Sequence, residues 1–477
     1  MKKLFSLNKI FFVILFLFVA ANSFPQQKKS KLENEINKVI STDFFKNSQI
    51  AIDVYDLTSE KVLYRKNEKL LLRPASTIKL LTTAASILFL DDYRFSTSLY
   101  YKGDLRDSIL SGDLYVVGGL DPEFSLRDLD TLIFKIRSSG IKEIRGNILA
   151  DISAMDSLFW GSGWMWDDDP APSSPYMSAL NINDNCIRIN YSPNFLGKPA
   201  LITTSPETNF VTVSNNSIMT GKKNSALKVT RDWINRSNTI NVTGELSINE
   251  KPGETILNIF DPTNYFLSLL KENLIRNKIG FSGQTKISTL ENGAKEIFTY
   301  SRTIDSTVIN VNKNSDNLRA EMLLRALGLK YSGKPASADK GIKLIDSLIT
   351  ILGMDPKSYK IADGSGLSFY NLISAELLTG LLKYFHTNGN ESFIKLFNSL
   401  PVAGIDGTLK DRLKKSPVFQ KVNAKTGTIS GVSNLGGYLT NKSNHLIAFT
   451  ILIQNFAGSS KVAREVQDKI CEIIYNN

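Results

Sequence analysis

The stretch LLRPASTIKLLTTAASILFL (residues 71–90) places a serine and a lysine three positions apart, ahead of a long apolar run. On a helix, positions i and i+3 share one face, so the amine of Lys79 can reach the hydroxyl of Ser76. A serine becomes a good nucleophile when a neighbouring base takes its proton, and an amine does so only when it is neutral. Burial would lower the pKa of Lys79 and favour the neutral form. The stretch therefore predicts a nucleophilic serine with a lysine base.

A serine and a lysine at this spacing are not a specific signal. The chain holds further copies at Ser6/Lys9, Ser139/Lys142, Ser225/Lys228, Ser337/Lys340 and Ser392/Lys395. The ordinary interpretation of any one copy is a pair of neighbours on an exposed helix surface. The pair at 76 and 79 differs because it begins a long apolar helix and is followed by two companion motifs.

The companion motifs lie far downstream. NKNSDNLRAEMLLRALG holds Ser-Asp-Asn at 315–317, which could also be an ordinary helix N-cap. NAKTGTISGVSNLGGYLT holds Lys-Thr-Gly-Thr at 425–428, which could also be a strand edge beside a turn. Taken together, in this order and on helix, helix and strand, the three motifs are typical of serine β-lactamases and penicillin-binding proteins.

The chain resembles one group of these proteins over most of its length. The group is the low-molecular-mass class C penicillin-binding proteins, the D-alanyl-D-alanine carboxypeptidase/endopeptidases of the serine peptidase S13 type. Similar blocks are LLRPASTIKLLT, GDLYVVGGLDP, SDNLRAEMLLRALG, DGSGLS (363–368), LPVAGIDGTLKDRL (400–413) and KTGTISGVSNLGGYL. Ser76 and Ser315 are 239 residues apart, which agrees with a family that carries extra domains between these motifs.

The resemblance implies an α+β fold with a discontinuous main domain of the serine β-lactamase/transpeptidase type, an antiparallel sheet packed with helices. A change along the chain to a pattern rich in strands and turns predicts the domain boundaries. Residues 1–23 read as a signal peptide, 24–91 and 297–477 as the catalytic domain, and 92–296 as a strand-rich insertion of one or two small domains. Helices are predicted over 126–140, 261–280, 316–328, 373–387 and 463–476, and late strands over 433–440 and 445–455.

The resemblance also implies catalytic roles. Ser76 would form the acyl-enzyme and Lys79 would be its general base. Ser315 would relay a proton to the leaving amine, and Asn317 would bind the substrate backbone and help fix the lysine. Lys425 would set the electrostatic field of the site and help hold the terminal carboxylate of the peptide.

Four residues are expected to bind substrate. Thr426 and Thr428 would offer hydroxyls to the peptide carboxylate, with Gly427 between them in the motif, and the backbone N–H groups of Ser76 and Thr428 would form the oxyanion hole. Asp151 would meet the ammonium group of a diamino acid, although an ordinary loop aspartate is the alternative. The implied partners are peptidoglycan peptides, with β-lactams as covalent inhibitors.

Two features of the chain have competing interpretations. Trp164 and Trp166 in GWMWDD are either hydrophobic anchors of the insertion or a platform on which a sugar stacks. The block at 363–368 is either a loop that supports the site or a tight structural turn. The family usually continues this block with an arginine, where this chain has Phe369.

Composition narrows the remaining possibilities. The formal charge is +11, and removal of residues 1–23, which hold three lysines and no acid, lowers it to +8. A basic, exported chain suits an anionic envelope polymer, although general solubility is the alternative interpretation of the charge. The chain has no arginine-rich, aromatic-interleaved patch of the kind that would indicate nucleic-acid binding. His386 and His445 lie in no motif, so we expect neither a Ser-His-Asp triad nor a metal site, and no cofactor. Cys186 and Cys471 could pair or remain free thiols.

The predicted function is a secreted, periplasmic serine peptidase that trims or cleaves peptidoglycan cross-bridges. One alternative is a β-lactamase or esterase on the same scaffold, which differs in the rate of deacylation. Another is a catalytically silent protein that binds the cell wall. The sequence indicates nothing about the oligomeric state.

Overall fold

The computed structural model describes residues 30–223 and 226–477, so the predicted signal peptide lies outside the described residues. The helices are α1 (Lys31–Val39), α2 (Lys79–Phe89), α3 (Leu126–Ser138), α4 (Pro262–Arg276), α5 (Asp305–Lys313), α6 (Asn317–Ser332), α7 (Ala338–Ile351), α8 (Ala375–Asn388), α9 (Asn390–Ser399) and α10 (Lys461–Tyr475). The strands are β1 (Gln49–Asp56), β2 (Lys61–Lys66), β3 (Arg94–Arg106), β4 (Ile109–Gly119), β5 (Glu143–Ile144), β6 (Ile148–Asp151), β7 (Cys186–Ser192), β8 (Leu201–Ser205), β9 (Thr212–Thr220), β10 (Leu227–Arg231), β11 (Thr239–Ser247), β12 (Gly253–Asn258), β13 (Gly280–Phe281), β14 (Thr285–Ile287), β15 (Lys295–Thr303), β16 (Val422–Ile429), β17 (Val432–Thr440) and β18 (Leu446–Gln454).

The main sheet joins both ends of the described chain. Its five antiparallel strands have the order β16-β17-β18-β1-β2. In the middle of the sheet Ile52 of β1 lies opposite Ile451 of β18, almost four hundred positions later. Strands β17 and β18 are buried along nearly their whole length, as expected for strands covered on both faces, and β18 is almost entirely apolar. The sheet therefore requires both distant segments of the chain.

Helices cover both faces of this sheet. On one face α8 lies against β1, β17 and β18, and α2 packs beside it in a core shared with α5, α6 and α7. On the other face α10 packs on β17 and on α1, which buries residues such as Ile36 and Ile470 against the strands. The predicted fold, an α+β domain with an antiparallel sheet packed with helices, is confirmed.

The inserted region is rich in strands. A seven-stranded sheet follows the order β13-β5-β4-β3-β15. Its other two strands are β6, which also pairs with β4, and β14, which pairs with β6. Two three-stranded sheets, β10-β11-β9 and β12-β7-β8, complete it. Strand β15 pairs with β3 as far as Thr303, so this sheet continues beyond residue 296. The division of the chain into domains stays a prediction.

The local predictions agree with the structure where the sequence pattern is strong. The five expected helices correspond to α3, α4, α6, α8 and α10, and the two late strands to β17 and β18. Helices α1, α5, α7 and α9 were not predicted. Cys186 and Cys471 are both buried and free, so they do not pair. Across 30–223 and 226–477, no helix combines the length and apolar character that crossing a membrane demands.

Candidate active site

The nucleophile candidate lies on a tight turn rather than on the α-helix itself. Residues Ala75–Ile78 form one turn of 3-10 helix, and α2 begins at Lys79. Side chains three residues apart nearly eclipse in a 3-10 turn, which brings Ser76 directly beside Lys79. Ala75 has φ of 45°, a conformation that costs energy in a residue with a β-carbon and is often retained at functional sites.

Lys79 is completely buried, and its amine has three oxygen partners. Nζ donates to Oγ of Ser76 at 2.9 Å, to Oδ1 of Asn317 at 2.6 Å, and to the carbonyl of Ser365. Burial lowers the pKa of Lys79 to about 8, against the opposing attraction of nearby carboxylates such as Asp363. A neutral amine can instead accept the proton of the Ser76 hydroxyl, which is the geometry a general base needs.

This pKa predicts how acylation depends on pH. Because only the neutral amine can accept the proton of Ser76, the acylation rate should fall about tenfold for each pH unit below about 8. Above about pH 9 the rate should reach a plateau. The test is to incubate the protein with benzylpenicillin between pH 6 and 10 and to follow the mass of the covalent adduct over time. An acylation rate that does not change from pH 6 to 8 would contradict the prediction.

The Ser-Asp-Asn motif begins α6 and faces the lysine. Asp316 is the N-cap and accepts the backbone N–H of Arg319 at 2.8 Å. The motif therefore does cap the helix, as its alternative interpretation expected. Ser315, just before the N-cap, has φ of 60°, in the left-handed region that is uncommon for a residue other than glycine. Asn317 contacts Lys79 through Oδ1, and its Nδ2 donates to the carbonyl of Ser173 in the inserted region at 2.6 Å. The asparagine thus connects the lysine to the insertion.

The Lys-Thr-Gly motif lies on β16, the edge strand of the main sheet next to the Ser76 turn. The buried Nζ of Lys425 donates to Oγ of Ser315 at 2.9 Å and to the carbonyl of Thr426 at 2.9 Å. Burial, with the charge of Lys79 nearby, holds the pKa of Lys425 well below its usual value. Thr426 contacts Oγ1 of Thr408 at 2.7 Å, and Thr428 is exposed.

Gly427 allows β16 to approach the nucleophile turn. A β-carbon on this residue would lie 2.7 Å from the carbonyl oxygen of Pro74, 2.8 Å from N of Thr77 and 3.0 Å from N of Ser76. All three neighbours are backbone atoms, so the contact could not be relieved by a side-chain rotation. Glycine at this position therefore allows the backbone of β16 to lie directly against the turn that carries Ser76.

The Gly427→Ala variant should therefore lose most of its acylation activity. A displacement of about 1 Å in a catalytic group can cost about 10²-fold in rate, and we expect a loss of this order. Gly436→Ala on the neighbouring strand is the matched control, because a β-carbon there would lie 3.5 Å from its nearest neighbour. Equal acylation rates in the two variants would argue against the proposed close approach.

A buried turn holds the other side of Lys79. Asp363 accepts the backbone N–H groups of Gly366 and Ser368 and the indole Nε1–H of Trp164, each at 2.9 Å. Gly366 approaches the nucleophile turn closely, since a β-carbon on it would lie 2.0 Å from the carbonyl oxygen of Ala75. The block at 363–368 therefore supports the site, and Trp164 is a buried anchor of the insertion.

Sequence reasoning missed Glu321, which lies one helical turn after Asn317. Its Oε1 accepts the backbone N–H groups of Gly364 and Ser365 at 2.9 and 3.0 Å, and its Oε2 pairs with Arg325 at 2.9 Å. Burial, with Asp363 nearby, raises the pKa of Glu321. Ser365 is the residue whose carbonyl accepts from Lys79, so Glu321 fixes the lysine indirectly. The position of Glu321 four residues after Asn317, on the same face of α6, was the sequence signal from which it could have been found.

The comparisons with known proteins agree with this geometry. The sequence profile of the D-Ala-D-Ala carboxypeptidase 3 (S13) family matches residues 32–476. The chain belongs to this family. Two curated S13 relatives are D-alanyl-D-alanine carboxypeptidase DacB of Haemophilus influenzae and D-alanyl-D-alanine carboxypeptidase of Actinomadura sp.. The first is 27% identical over 86% of this chain and 86% of its own length, and the second 28% identical over 92% and 84%.

A solved structure is similar over nearly the full length of this S13 family member. It is penicillin binding protein 4 (dacB) from Haemophilus influenzae, with a TM-score of 0.81 and 25% sequence identity. The alignment covers 92% of this chain and 98% of that one. The two chains share the fold of the main sheet and of the inserted region.

The remaining predicted residue, Asp151, lies at the end of β6 in the inserted sheet. Its carboxylate is buried and accepts the backbone N–H groups of Ser153 and Leu290, both at 2.8 Å. Despite burial, these hydrogen bonds hold the pKa of Asp151 below its usual value. No described hydrogen bond joins it to the other predicted site residues of this S13 chain, and its role stays a prediction.

One charged side chain near the site of this S13 chain was not expected. The Arg73 guanidinium lies 5.6 Å from the ring centre of Phe369, and its Nε donates to the carbonyl of that residue at 3.4 Å. An arginine from another segment thus contacts Phe369, the residue that directly follows the DGSGLS block. Within 30–223 and 226–477, no group of His, Cys, Asp and Glu side chains is arranged to hold a metal ion.

Proposed function

We propose that the chain is an exported serine D-Ala-D-Ala carboxypeptidase and endopeptidase that acts on peptidoglycan peptides and is acylated by β-lactams. One observation carries this proposal, the fully buried Lys79 amine with a lowered pKa and 2.9 Å from Oγ of Ser76. An S13 family member with this pair has the groups that acyl transfer requires. The curated S13 relatives bear the name of this carboxypeptidase activity.

The acylation step uses the hydrogen bonds already formed between these residues. Oγ of Ser76 attacks the carbonyl carbon of the D-Ala–D-Ala bond while its proton passes to the neutral Lys79 amine. The C–N bond then breaks, and Ser315, held by Lys425 at 2.9 Å, relays a proton to the leaving amine. The ester on Ser76 is hydrolysed by water, which restores the serine.

Substrate binding is assigned in this proposal to the edge strand β16. We assign the peptide carboxylate to the hydroxyls of Thr426 and Thr428 and to the amine of Lys425. The backbone N–H groups of Ser76 and Thr428 would stabilise the oxyanion. The close approach of Gly427 to the turn that carries Ser76 supports this assignment, because it brings β16 against that turn. Asn317 and Asp151 complete the proposed substrate contacts.

Carboxypeptidase and endopeptidase activities would use this one site. They differ only in the amine that leaves, which is free D-alanine in the first case and the amine of a neighbouring stem peptide in the second. The location proposed for the reaction is the periplasm, on the basis of the basic and apolar N-terminal segment. Similarity to a penicillin binding protein supports the proposed acylation by β-lactams.

The proposal is tested by intact-mass spectrometry of the mature protein after incubation with benzylpenicillin. A stable adduct of one penicillin, with release of D-alanine from a peptide ending in D-Ala-D-Ala, is the expected result. Rapid hydrolysis of penicillin without an accumulating adduct would favour the β-lactamase alternative. Binding to cell walls without an adduct, hydrolysis or D-alanine release would favour the silent wall-binding alternative.

Release of monomers from cross-linked muropeptides tests the endopeptidase part separately. The products can be separated by liquid chromatography and identified by mass. Loss of D-alanine from pentapeptides without cleavage of cross-links would restrict the proposed function to the carboxypeptidase reaction.

A further inference from the structure

The inserted region contains a cavity that the proposed reaction does not use. Its volume is about 470 Å³, which lies in the range of small-ligand pockets. Six aromatic side chains line it, namely Phe159, Trp160, Trp164, Trp166, Tyr176 and Trp233. These include all four tryptophans of the chain. Such a concentration of tryptophan in one place calls for a physical reason.

The floor of the cavity is rigidly built. The ring of Tyr176 lies 4.8 Å from the ring of Trp160, and its hydroxyl donates to Oδ2 of Asp169 at 2.8 Å. Asp169 forms a buried ion pair with Arg231. Because these two charges neutralise each other, the floor offers polar atoms without a net charge. The floor therefore does not attract an ionised ligand, and the other charged side chain of the lining, Arg236, lies at the rim.

The rim of the cavity exposes aromatic surface to water. Trp166 is 71% exposed, and its ring lies 4.8 Å from that of Trp233 at an angle of 39°. Ile234 beside them is 72% exposed, and the exposed Arg236 supplies hydrogen-bond donors. Tryptophan is large and amphipathic, and exposed pairs of this kind are typical of recognition surfaces.

The segment that forms the cavity is bonded directly to the candidate active site. Trp164 donates its indole N–H to Asp363 at 2.9 Å, within the turn that holds Lys79. In the same segment the carbonyl of Ser173 accepts from Asn317 at 2.6 Å. The cavity and the candidate active site are therefore built on one shared segment of the inserted region, residues 159–176.

We propose that this cavity binds a sugar ring of the glycan strand to which the substrate peptide is attached. This inference rests on the proposed function, because it assigns the carbohydrate part of the same substrate. A pyranose ring presents a face of C–H bonds that packs on the indoles of Trp166 and Trp233. Its hydroxyl and acetamido groups are neutral and can accept from Arg236.

A pair of matched substrates tests the inference. One is a disaccharide-pentapeptide ending in D-Ala-D-Ala, and the other is the same pentapeptide without sugar. Trp166→Ala should raise KM for the sugar-bearing substrate about tenfold, with kcat unchanged and with both constants unchanged for the free peptide. Phe195→Ala is the control variant, because Phe195 is an 81% exposed aromatic residue of the insertion that does not line the cavity.

Other results in this assay would overturn the inference. An equal rise in KM for both substrates would mean that Trp166 contacts the peptide. A fall in kcat for both would mean that the segment only supports the catalytic residues. Unchanged constants for both would mean that no sugar contacts Trp166.

Tryptophan fluorescence gives a second test that does not require catalysis. Because every tryptophan lines this cavity, titration with a β-1,4-linked tetramer of N-acetylglucosamine should change the emission of the wild type. The change should be much smaller in Trp166→Ala. A change in emission without D-alanine release would leave the sugar site standing while the proposed reaction fails. D-alanine release without any change in emission would overturn the sugar site alone.

Discussion

We expect the Ser76→Ala variant to form no covalent adduct with benzylpenicillin and to release no D-alanine from peptides ending in D-Ala-D-Ala. The side-chain oxygen that the variant lacks is the atom proposed to attack, and covalent catalysis has no substitute for it. Acylation should fall below detection, a larger loss than we expect from any other substitution at the site. Intact-mass spectrometry of the variant and the wild type, incubated side by side with the same inhibitor, measures it directly.

The variant should remain folded, so the loss can be assigned to chemistry. Ser76 is half-buried, and alanine removes one hydrogen bond to Lys79 without leaving a large cavity. The free energy of unfolding should change by about 1 kcal/mol. Ser392→Ala is the matched control, since Ser392 also precedes a lysine by three residues but lies on α9. An adduct that persists on Ser76→Ala would place the nucleophile elsewhere, and peptide mapping would locate it.

The second large effect is expected for Lys79→Met. Methionine has nearly the length of lysine but no amine, so Ser76 loses the base that accepts its proton. A positioned general base contributes about 10²–10⁴-fold, and we expect acylation by benzylpenicillin to slow about 10³-fold. The adduct should still form after long incubation, because Ser76 and the groups around the proposed oxyanion site remain. Its rate should no longer depend on a group with a pKa of about 8.

The control for this variant uses the same spacing elsewhere. Lys395→Met, in the pair Ser392/Lys395, should acylate at the wild-type rate. Replacement of Lys79 leaves the carbonyl of Ser365 and Oδ1 of Asn317 without their donor, and each loss costs about 1–3 kcal/mol in a buried place. A thermal melt separates this cost from the catalytic one. Near-normal labelling of Lys79→Met would remove the lysine from the role of base.

Much of the fold and of the site could be predicted because the signals are local. The pair Ser76/Lys79 is set by a single turn of helix, and β18 is an almost continuous apolar run. Hydrogen bonds join these local signals into one site, through Lys79 to Asn317 and through Lys425 to Ser315. Local spacing could not show, however, that the serine lies on a 3-10 turn with a strained residue before it.

The supporting contacts could not be predicted for a physical reason. Trp164 and Asp363 are 199 positions apart and meet only in the folded chain, so no periodicity records their hydrogen bond. The same holds for the contact between Glu321 and the backbone of Gly364 and Ser365. Helix α7 differs from these contacts, because its apolar stripe behind the N-cap Ser337 is a local signal that predicts a helix, although this helix was not among those predicted.

The pairing of β1 with β18 has a consequence for the order in which the molecule can become active. During synthesis β1 emerges early, but β18, which covers its edge, follows almost four hundred residues later. Until then the apolar β1 has an open edge, and the strand that carries Lys425 has no sheet to join. We therefore expect a ribosome-bound chain that ends before β18 to form no acyl-enzyme on Ser76. The strand order of the main sheet thus determines the stage of synthesis at which the site around Ser76 can form.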